Sequence, residues 1–322
     1  LTDAEGCPVA TEVFDGNTGD PKTVLAQVKK LRERFSLERV VLVGDRGMIT
    51  SARIEEDLKQ APGLEWITAL RGPAIRKLAD TGVLDVSLFD ERDLAEISSP
   101  DYPGERLIVC RNPLLATERR RKREDLLRAT ESELEKVALA TRRENNPLRG
   151  KDKIGLRVGR VLGRFKVGKH FKLEITETSF TYHRNQDAIT QEAALDGIYV
   201  IRTNVALPRL SSADAVLSYK RLAYVERAFR CLKTVDIKLR PIHHHLADRV
   251  RAHVFICMLA YYVEWHMRRA LAPILFEDDD KPSAARRRSS AVAKASRSEH
   301  AEQKARTKVA PDGLPLHSFH TL

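Results

Sequence analysis

The sequence predicts an α/β fold, because strand and helix patterns alternate along a chain with enough apolar residues for a core. Hydrophobic residues make up 42% of the 322 residues, so a folded core is expected. A helical pattern over 20–35 is followed by the β-branched run 40–43 and by a second helical pattern over about 52–60. Alternation of this kind is typical of helices packed on a sheet.

The first elements are predicted from local signals. Residues 6–14 are expected to form a strand after a turn at 3–6, and the loop 15–19 leads to a helix with Asp20 as its cap and Pro21 at its first position. The continuous apolar run 40–43 is typical of a central strand buried on both faces. This strand ends at Asp45, where open α/β sheets tend to bind ligands.

From about residue 63 the pattern becomes mixed. Residues 63–195 are interpreted as a mixed α+β insertion, with a separate second domain as the alternative, and residues 1–62 and 196–275 as the two parts of the α/β domain. Residues 276–322 have few large apolar side chains and predict a basic, disordered tail. The expected strands are 65–70, 107–110, 171–176, 178–183 and 197–202, and the expected helices are 114–143, 213–233 and 246–270.

Charge and cysteine content narrow the class of protein. The net charge of +11 favours a polyanionic partner such as nucleic acid, and the alternative is a basic but ordinary soluble enzyme. The four scattered cysteines, without a C-x-x-C pair, argue against a zinc ribbon or a disulfide scaffold and suit the reducing cytoplasm. The apolar stretch 254–263 is too short to cross a bilayer, so no membrane role is expected.

The predicted helix 213–233 carries an unusual stripe. At 100° per residue, Tyr219, Glu226, Arg230 and Lys233 share one narrow face. The alternative is a solvated face with an ordinary Glu226–Arg230 pair four residues apart. A second face is expected to point to the core; it consists of Val225, Ala228, Phe229 and Leu232.

Two motifs resemble the DDE transposases of bacterial insertion sequences. They are residues 43–48 (VGDRGM) and residues 219–233 (YKRLAYVERAFRCLK). The second is similar to the signature of Tyr, two residues, Arg, three residues, Glu, six residues and Lys, with Tyr219, Glu226 and Lys233 in register. Leu222 stands at the Arg position, although Arg221 adjoins it. Further similar stretches, at 12–18, 195–204 and 249–255, extend the resemblance over about 1–275.

The resemblance implies an RNase H-like mixed sheet interrupted by an insertion domain before the final glutamate. It also implies Mg²⁺-dependent cleavage of double-stranded DNA at transposon ends and strand transfer into target DNA. Asp45 and Glu226 would be two of three carboxylates that hold two metal ions, for which Mn²⁺ can substitute. The residues expected to contact DNA phosphates are Tyr219, Arg221, Arg230 and Lys233.

The first Asp of the family pattern has no counterpart in this sequence. It would lie on a strand before residue 6, and Asp3, Asp15 and Asp20 are poor substitutes because they lie in turns and loops. The chain is therefore expected to be N-terminally truncated, and its catalytic activity by itself is expected to be severely impaired. The alternative is a catalytically inactive, DNA-binding remnant of a transposase. A homodimer in a DNA complex is expected, located in the cytoplasm and associated with the nucleoid when bound to DNA.

Outside this family, the sequence is compatible with a structural nucleic-acid-binding protein. The transposase interpretation predicts that the carboxylates of Asp45 and Glu226 converge to within about 10 Å, whereas the structural interpretation places them far apart.

Three further signals are weaker. The loop His243-His244-His245 is favoured as a structural or phosphate-contacting loop over a metal site. The basic stretch 151–172 predicts either a DNA-tracking surface or a solvated loop, with equal weight. Trp66 is expected in the core, with a contact to a flipped transposon-end base as the minor alternative.

Overall fold

The computed structural model describes residues 1–3, 5–85, 89, 93–235, 237–310 and 312–322. The chain divides into unit 1, which comprises Leu1–Cys110 and Tyr199–Leu322, and unit 2, which comprises Arg111–Ile198. Within the described residues, the strands are β1 (Val40–Val43), β2 (Leu64–Ala69), β3 (Leu94–Ile97), β4 (Arg106–Arg111), β5 (Phe171–Ile175), β6 (Phe180–Arg184) and β7 (Ile198–Thr203).

Helices of very different length connect and cover these strands. They are α1 (Asp20–Phe35), α2 (Ser51–Arg53), α3 (Gly72–Asp80), α4 (Pro113–Thr141), α5 (Lys151–Phe165), α6 (Gln186–Ala193), α7 (Ser212–Lys220), α8 (Leu222–Arg230), α9 (Ala247–Leu271), α10 (Lys281–Arg286) and α11 (Glu299–Thr307). Two π-helical turns extend α2 and α8, at Ile54–Leu58 and Cys231–Val235. Single 3₁₀ turns within the described residues are Gly168–His170, Ala272–Ile274 and Phe319–Thr321. None of the described helices is long and apolar enough to cross a membrane.

A mixed five-stranded sheet in the order β1-β2-β7-β4-β3 contains the strands outside the β5–β6 hairpin. β1 runs parallel to β2, with Val40 opposite Leu64, whereas β2 and β7 are antiparallel, as are β3 and β4. The β-branched and aliphatic composition of these segments suits a pleated, buried surface. The predicted mixture of sheet and helices in an α/β chain is confirmed.

β1 is an edge strand among the described strands, and the expected central position is wrong. Val40 and Leu42 pack against the cluster beneath α1, which contains Val28, and Val43 packs against the cluster on the other side. Val41 remains 38% exposed. The apolar run thus reflects packing contacts on both faces of the strand. Such contacts do not determine whether the strand has one or two neighbouring strands within the sheet.

The predicted strand 6–14 is also wrong. Asp3 Oδ1 accepts hydrogen bonds from the backbone N–H groups of Glu5 and Cys7, and Gly6 has a φ of +89° that completes the turn. Only the isolated antiparallel bridge between Thr2 and Pro8 remains in this described segment. The next element, α1, begins one residue earlier than expected, with residue 19 at the N-cap.

The boundary predicted at residue 63 lies elsewhere. β2, β3 and β4 belong to the same sheet as β1, because their backbones are hydrogen-bonded into it. Residues up to Cys110 therefore belong to unit 1, and the second unit begins at Arg111. In that unit, α4 and α5 pack on the β5–β6 hairpin around the buried residues Leu127, Leu134, Ile154, Val158 and Phe180.

The C-terminal region is ordered, although the sequence predicts a disordered tail. Val292 is 1% exposed and belongs to the core cluster of the five-stranded sheet. The buried Lys304 on α11 donates hydrogen bonds to the carbonyl oxygens of Ala272 and Glu277. A few well-placed contacts, rather than a high apolar content, hold this segment.

Candidate functional site

Asp45 lies in a tight turn directly after β1. Its Oδ1 accepts hydrogen bonds from the backbone N–H groups of Gly47, at 2.9 Å, and Met48, at 2.7 Å. Its carbonyl oxygen accepts a bond from the buried Ile49. A Cβ at Gly44 would lie only 2.8 Å from the Ile49 side chain, so a larger residue there would force the buried Ile49 side chain to move.

The turn fixes the orientation of the Asp45 carboxylate. Because Oδ1 is held by two backbone donors, the side chain is restrained at the end of a strand. Oδ2 forms no hydrogen bond with the described residues, and Asp45 is exposed. One carboxylate oxygen is therefore available to a ligand.

Glu226 lies on α8, two residues before the buried Ala228 that anchors this helix. Its carboxylate is exposed and forms no ion pair with any described residue. The pair with Arg230 that would make Glu226 an ordinary helix-surface residue is therefore not formed. An unpaired carboxylate on a packed helix is free to take an external cation.

Tyr219, near the end of α7, is under the electrostatic influence of both candidate carboxylates. Burial is the main cause that raises the pKa of its hydroxyl, and the negative charges of Asp45 and Glu226 raise it further. The positive charge of Arg46 acts in the opposite direction. The charges of both carboxylates and of Arg46 thus act on the same phenol.

The predicted helix 213–233 is interrupted around this site. α7 ends at Lys220, α8 begins at Leu222, and Arg221 lies between them with helical dihedral angles. Lys233 lies on the π-helical turn, so a constant rotation of 100° per residue does not describe the positions of all the stripe residues. Phe229, expected in the core, is 54% exposed, and the Lys233 ammonium lies 5.2 Å from the centre of its ring.

The residues predicted to contact DNA are accessible. Arg221, Arg230 and Lys233 are exposed, and Tyr219 is half-buried. Arg46 was not predicted as a site residue, although it directly follows Asp45 in the motif. Neither was Lys220, whose Nζ donates to three carbonyl oxygens of residues 291–293.

Asp45 and Glu226 offer the carboxylate oxygens that hard divalent cations prefer. Across the described part of the chain, however, no group of three or more His, Cys, Asp or Glu side chains is arranged to hold a metal. Asp3 is engaged in its own turn, and the Asp20 side chain lies outside what the structure describes. The donor type of these two carboxylates is one that a divalent cation would accept.

The structure also describes the surroundings of Trp66 and of the histidine loop 243–245. Trp66 is 2% exposed and belongs to the core beneath α1, so it cannot stack on a DNA base. His244 contacts His253 edge-on, with ring centres 5.4 Å apart, and the histidine loop 243–245 forms no metal group with described residues.

A family model described as "Transposase DDE domain" matches residues 1–263. The chain belongs to the DDE transposase family. Transposition and DNA cleavage are the general activities of this family, whose members bind DNA and use divalent metal ions. The family-level resemblance is thereby confirmed, and the matched range contains Asp45, Tyr219, Glu226 and Lys233. No curated protein and no solved structure gives a significant match to this DDE transposase.

Proposed function

We propose that this DDE transposase cuts DNA strands at the ends of an insertion sequence and joins the freed 3′-hydroxyl to target DNA. The proposal includes the Tyr-Arg-Glu-Lys group, an RNase H-like catalytic domain and unit 2 as its insertion domain. The observation that carries it is the electrostatic effect of both Asp45 and Glu226 on the Tyr219 hydroxyl. Neither carboxylate is neutralised by an ion pair with the described residues.

In this proposal Asp45 and Glu226 hold Mg²⁺, or Mn²⁺ in its place. When bound, such ions supply an activated water and a stabilised leaving oxygen for an in-line displacement at phosphorus. The protein contributes rigidity: the Asp45 turn fixes one carboxylate, and the packing of Ala228 fixes the helix that carries the other.

The remaining site residues bind the substrate. Because the pKa of Tyr219 is raised, its hydroxyl stays protonated at neutral pH and can donate to a phosphate oxygen. Arg221, Arg230 and Lys233 are exposed on α8 and at its two ends and supply positive charge. Guanidinium groups bind phosphate in a bidentate manner, whereas the lysine acts as a flexible point charge. Because two transposon ends must be joined, we expect a homodimer on DNA.

A catalytically inactive, DNA-binding remnant is the second candidate. It is favoured by one observation: the described residues contain no group of three candidate metal ligands. Both candidates predict DNA binding by the charged residues near Tyr219. Only the first predicts strand cleavage by this chain.

Cleavage of a supercoiled plasmid that carries the DNA flanking the coding frame tests the proposal. Under this proposal, and contrary to the expectation raised by the missing first Asp, the 322-residue chain nicks this plasmid in Mg²⁺ or Mn²⁺ but not in EDTA. Asp45→Asn and Glu226→Gln should each abolish nicking and retain DNA binding. Glu38→Gln, which removes an exposed carboxylate outside the site, should cut at the wild-type rate. DNA binding without metal-dependent nicking in the wild-type chain would support the inactive remnant instead.

A further inference from the structure

Unit 2 presents a row of basic side chains on α5. Ile154 and Val158 bury one side of this helix in the core of the unit. At 100° per residue, the four cations Lys153, Arg157, Arg160 and Arg164 fall within about 60° of one another, on the flank of the helix next to this buried side. All four are exposed. They are called the α5 basic row below.

Several other cations of unit 2 are matched with carboxylates, whereas Arg120, Arg121 and Lys122 are exposed without an ion pair to a described residue. Arg184 pairs with both Glu124 and Glu131, and Arg123 pairs with Asp196. Further pairs involve Arg128 with Glu124, Lys169 with Glu192 and Lys172 with Asp187. The charge of these residues is therefore compensated within the unit.

The α5 basic row lacks this compensation. None of its four members forms an ion pair with a described residue; Arg164 instead lies 5.3 Å from the centre of the Phe165 ring. Between residues 149 and 172 the sequence has nine Lys or Arg and a single acidic residue, Asp152. Uncompensated charge of one sign on a helix face attracts an external polyanion.

A groove between α4 and α5 adjoins the row. It has a volume of about 280 Å³ and is lined by Arg143, Arg157 and Arg160, with Lys136 and Glu133 at its side. Glu133 is already paired with Lys136, which is the first cause that lowers the pKa of this glutamate. The groove is thus lined by four cations and by a single carboxylate that is already paired, and guanidinium groups are well suited to bind phosphate.

The dimensions suit a nucleic-acid backbone. From Lys153 to Arg164 the row extends about 16 Å along the helix. One strand of B-DNA carries a phosphate about every 3.4 Å of its axis, so the row can lie opposite roughly five phosphates. Next to the α5 basic row, a Cβ added at Gly155, Gly159 or Gly163 would meet no atom within 4 Å. The neighbouring helix surface is therefore not obstructed by other side chains.

We propose that the α5 basic row and the adjoining groove bind the phosphate backbone of double-stranded DNA without reading its sequence. This proposal rests on the proposed function, because it gives the transposase a DNA-binding surface in unit 2 in addition to the candidate site in unit 1. Phosphate contacts position a protein on DNA and contribute most of its salt-dependent affinity.

The test is the salt dependence of DNA affinity, measured with the full chain and a 30-base-pair duplex of random sequence in EDTA. Arg157→Gln/Arg160→Gln should weaken binding about tenfold and reduce the slope of log affinity against log salt by about 1.8. The matched control is Arg128→Gln/Lys172→Gln, which removes two exposed but paired cations of the same unit. Its affinity and slope should stay near the wild-type values.

Two results would overturn the proposal. One is an unchanged slope in Arg157→Gln/Arg160→Gln, and the other is an equal loss in the control, since net charge alone would then explain the affinity. Lys153→Gln/Arg164→Gln provides a second pair from the same row, and circular dichroism checks that each variant is folded. Stronger competition by duplex RNA than by duplex DNA would also contradict it. Because EDTA prevents cleavage, an inactive catalytic site leaves these outcomes unaffected.

Discussion

Lys220 on α7 donates a hydrogen bond from Nζ to the carbonyl oxygen of Val292, at 2.6 Å. The same ammonium also donates to the carbonyl oxygens of Ala291 and Ala293. Lys220 directly follows Tyr219, and the Val292 side chain is buried in the core of the sheet. The segment around Val292, which follows the range matched by the family model, thus packs against the helix that carries a site residue.

Replacing this lysine should loosen the C-terminal segment. In Lys220→Met the carbonyl oxygens of residues 291–293 lose a common donor, and partly buried acceptors without partners are destabilising. We expect faster amide hydrogen exchange over residues 288–296, measured by mass spectrometry. The exchange of β2 and β7 should change little.

Lys294→Met is the matched control, because Lys294 is exposed and has no ion pair with a described residue. Its exchange over residues 288–296 should equal that of the wild type. Equal exchange in Lys220→Met would show that Val292 packing alone holds the segment.

The buried ion pair of Arg202 and Glu105 should be needed for the stability of unit 1. Arg202 Nε donates to Glu105 Oε2 at 2.6 Å, and both side chains are at most 5% exposed. Arg202 also donates to Ser51 and lies over the Tyr102 ring. Removal of one partner leaves a buried charge, so Arg202→Met should lower the free energy of unfolding by about 3–5 kcal/mol.

Urea unfolding measures this loss. The double variant Arg202→Met/Glu105→Leu should be more stable than Arg202→Met, because it leaves no buried charge unpaired. Lys30→Met removes an exposed pair with Glu12 in the same unit and should cost no more than about 1 kcal/mol. A loss of similar size in Arg202→Met and Lys30→Met would contradict the role of burial.

Two glycines of unit 2 should respond in opposite directions to alanine. Gly159 lies within α5 with open space around its Cβ position, so Gly159→Ala should stabilise the unit by about 0.5–1 kcal/mol. Gly197 has a φ of +80°, and a Cβ there would lie 2.5 Å from the carbonyl oxygen of Asn112. Gly197→Ala should therefore destabilise the unit.

Urea denaturation of the two variants measures whether each substitution raises or lowers the free energy of unfolding. Stabilisation in Gly197→Ala would contradict the close approach of Asn112. A loss in Gly159→Ala would mean that the flank of α5 is not open.

Sequence patterns predicted those elements in which local preference and tertiary contacts agree. The helix from residue 20, the strand at 40–43 and the hairpin strands near 171–183 have strong periodicity or β-branched runs. α5 was not predicted as a helix, because three glycines and many cations make 151–165 resemble a loop. Only the packing of this segment against Leu127 and Leu134 distinguishes a helix from a loop.

The motifs in the sequence identify the candidate site residues, but they do not show how these residues are arranged in space. Asp45 and Glu226 follow from the resemblance, and the turn at Gly44 and Gly47 is visible in the sequence. The edge position of β1 and the break of the helix at Arg221 depend on neighbours remote in sequence. For the same reason, the role of Lys220 could not be inferred without knowing that residues 291–293 lie beside it.

The pKa of Tyr219 tests most directly whether Asp45 and Glu226 form one site. It can be followed by NMR in protein labelled at tyrosine Cζ, with Tyr219→Phe to assign the resonance. Asp45→Asn and Glu226→Gln should each lower this pKa, because each removes a negative charge that raises it. Mg²⁺ should lower it too, while Glu38→Gln should leave it unchanged. A Tyr219 pKa that does not respond to one of the two carboxylate variants would contradict a common site.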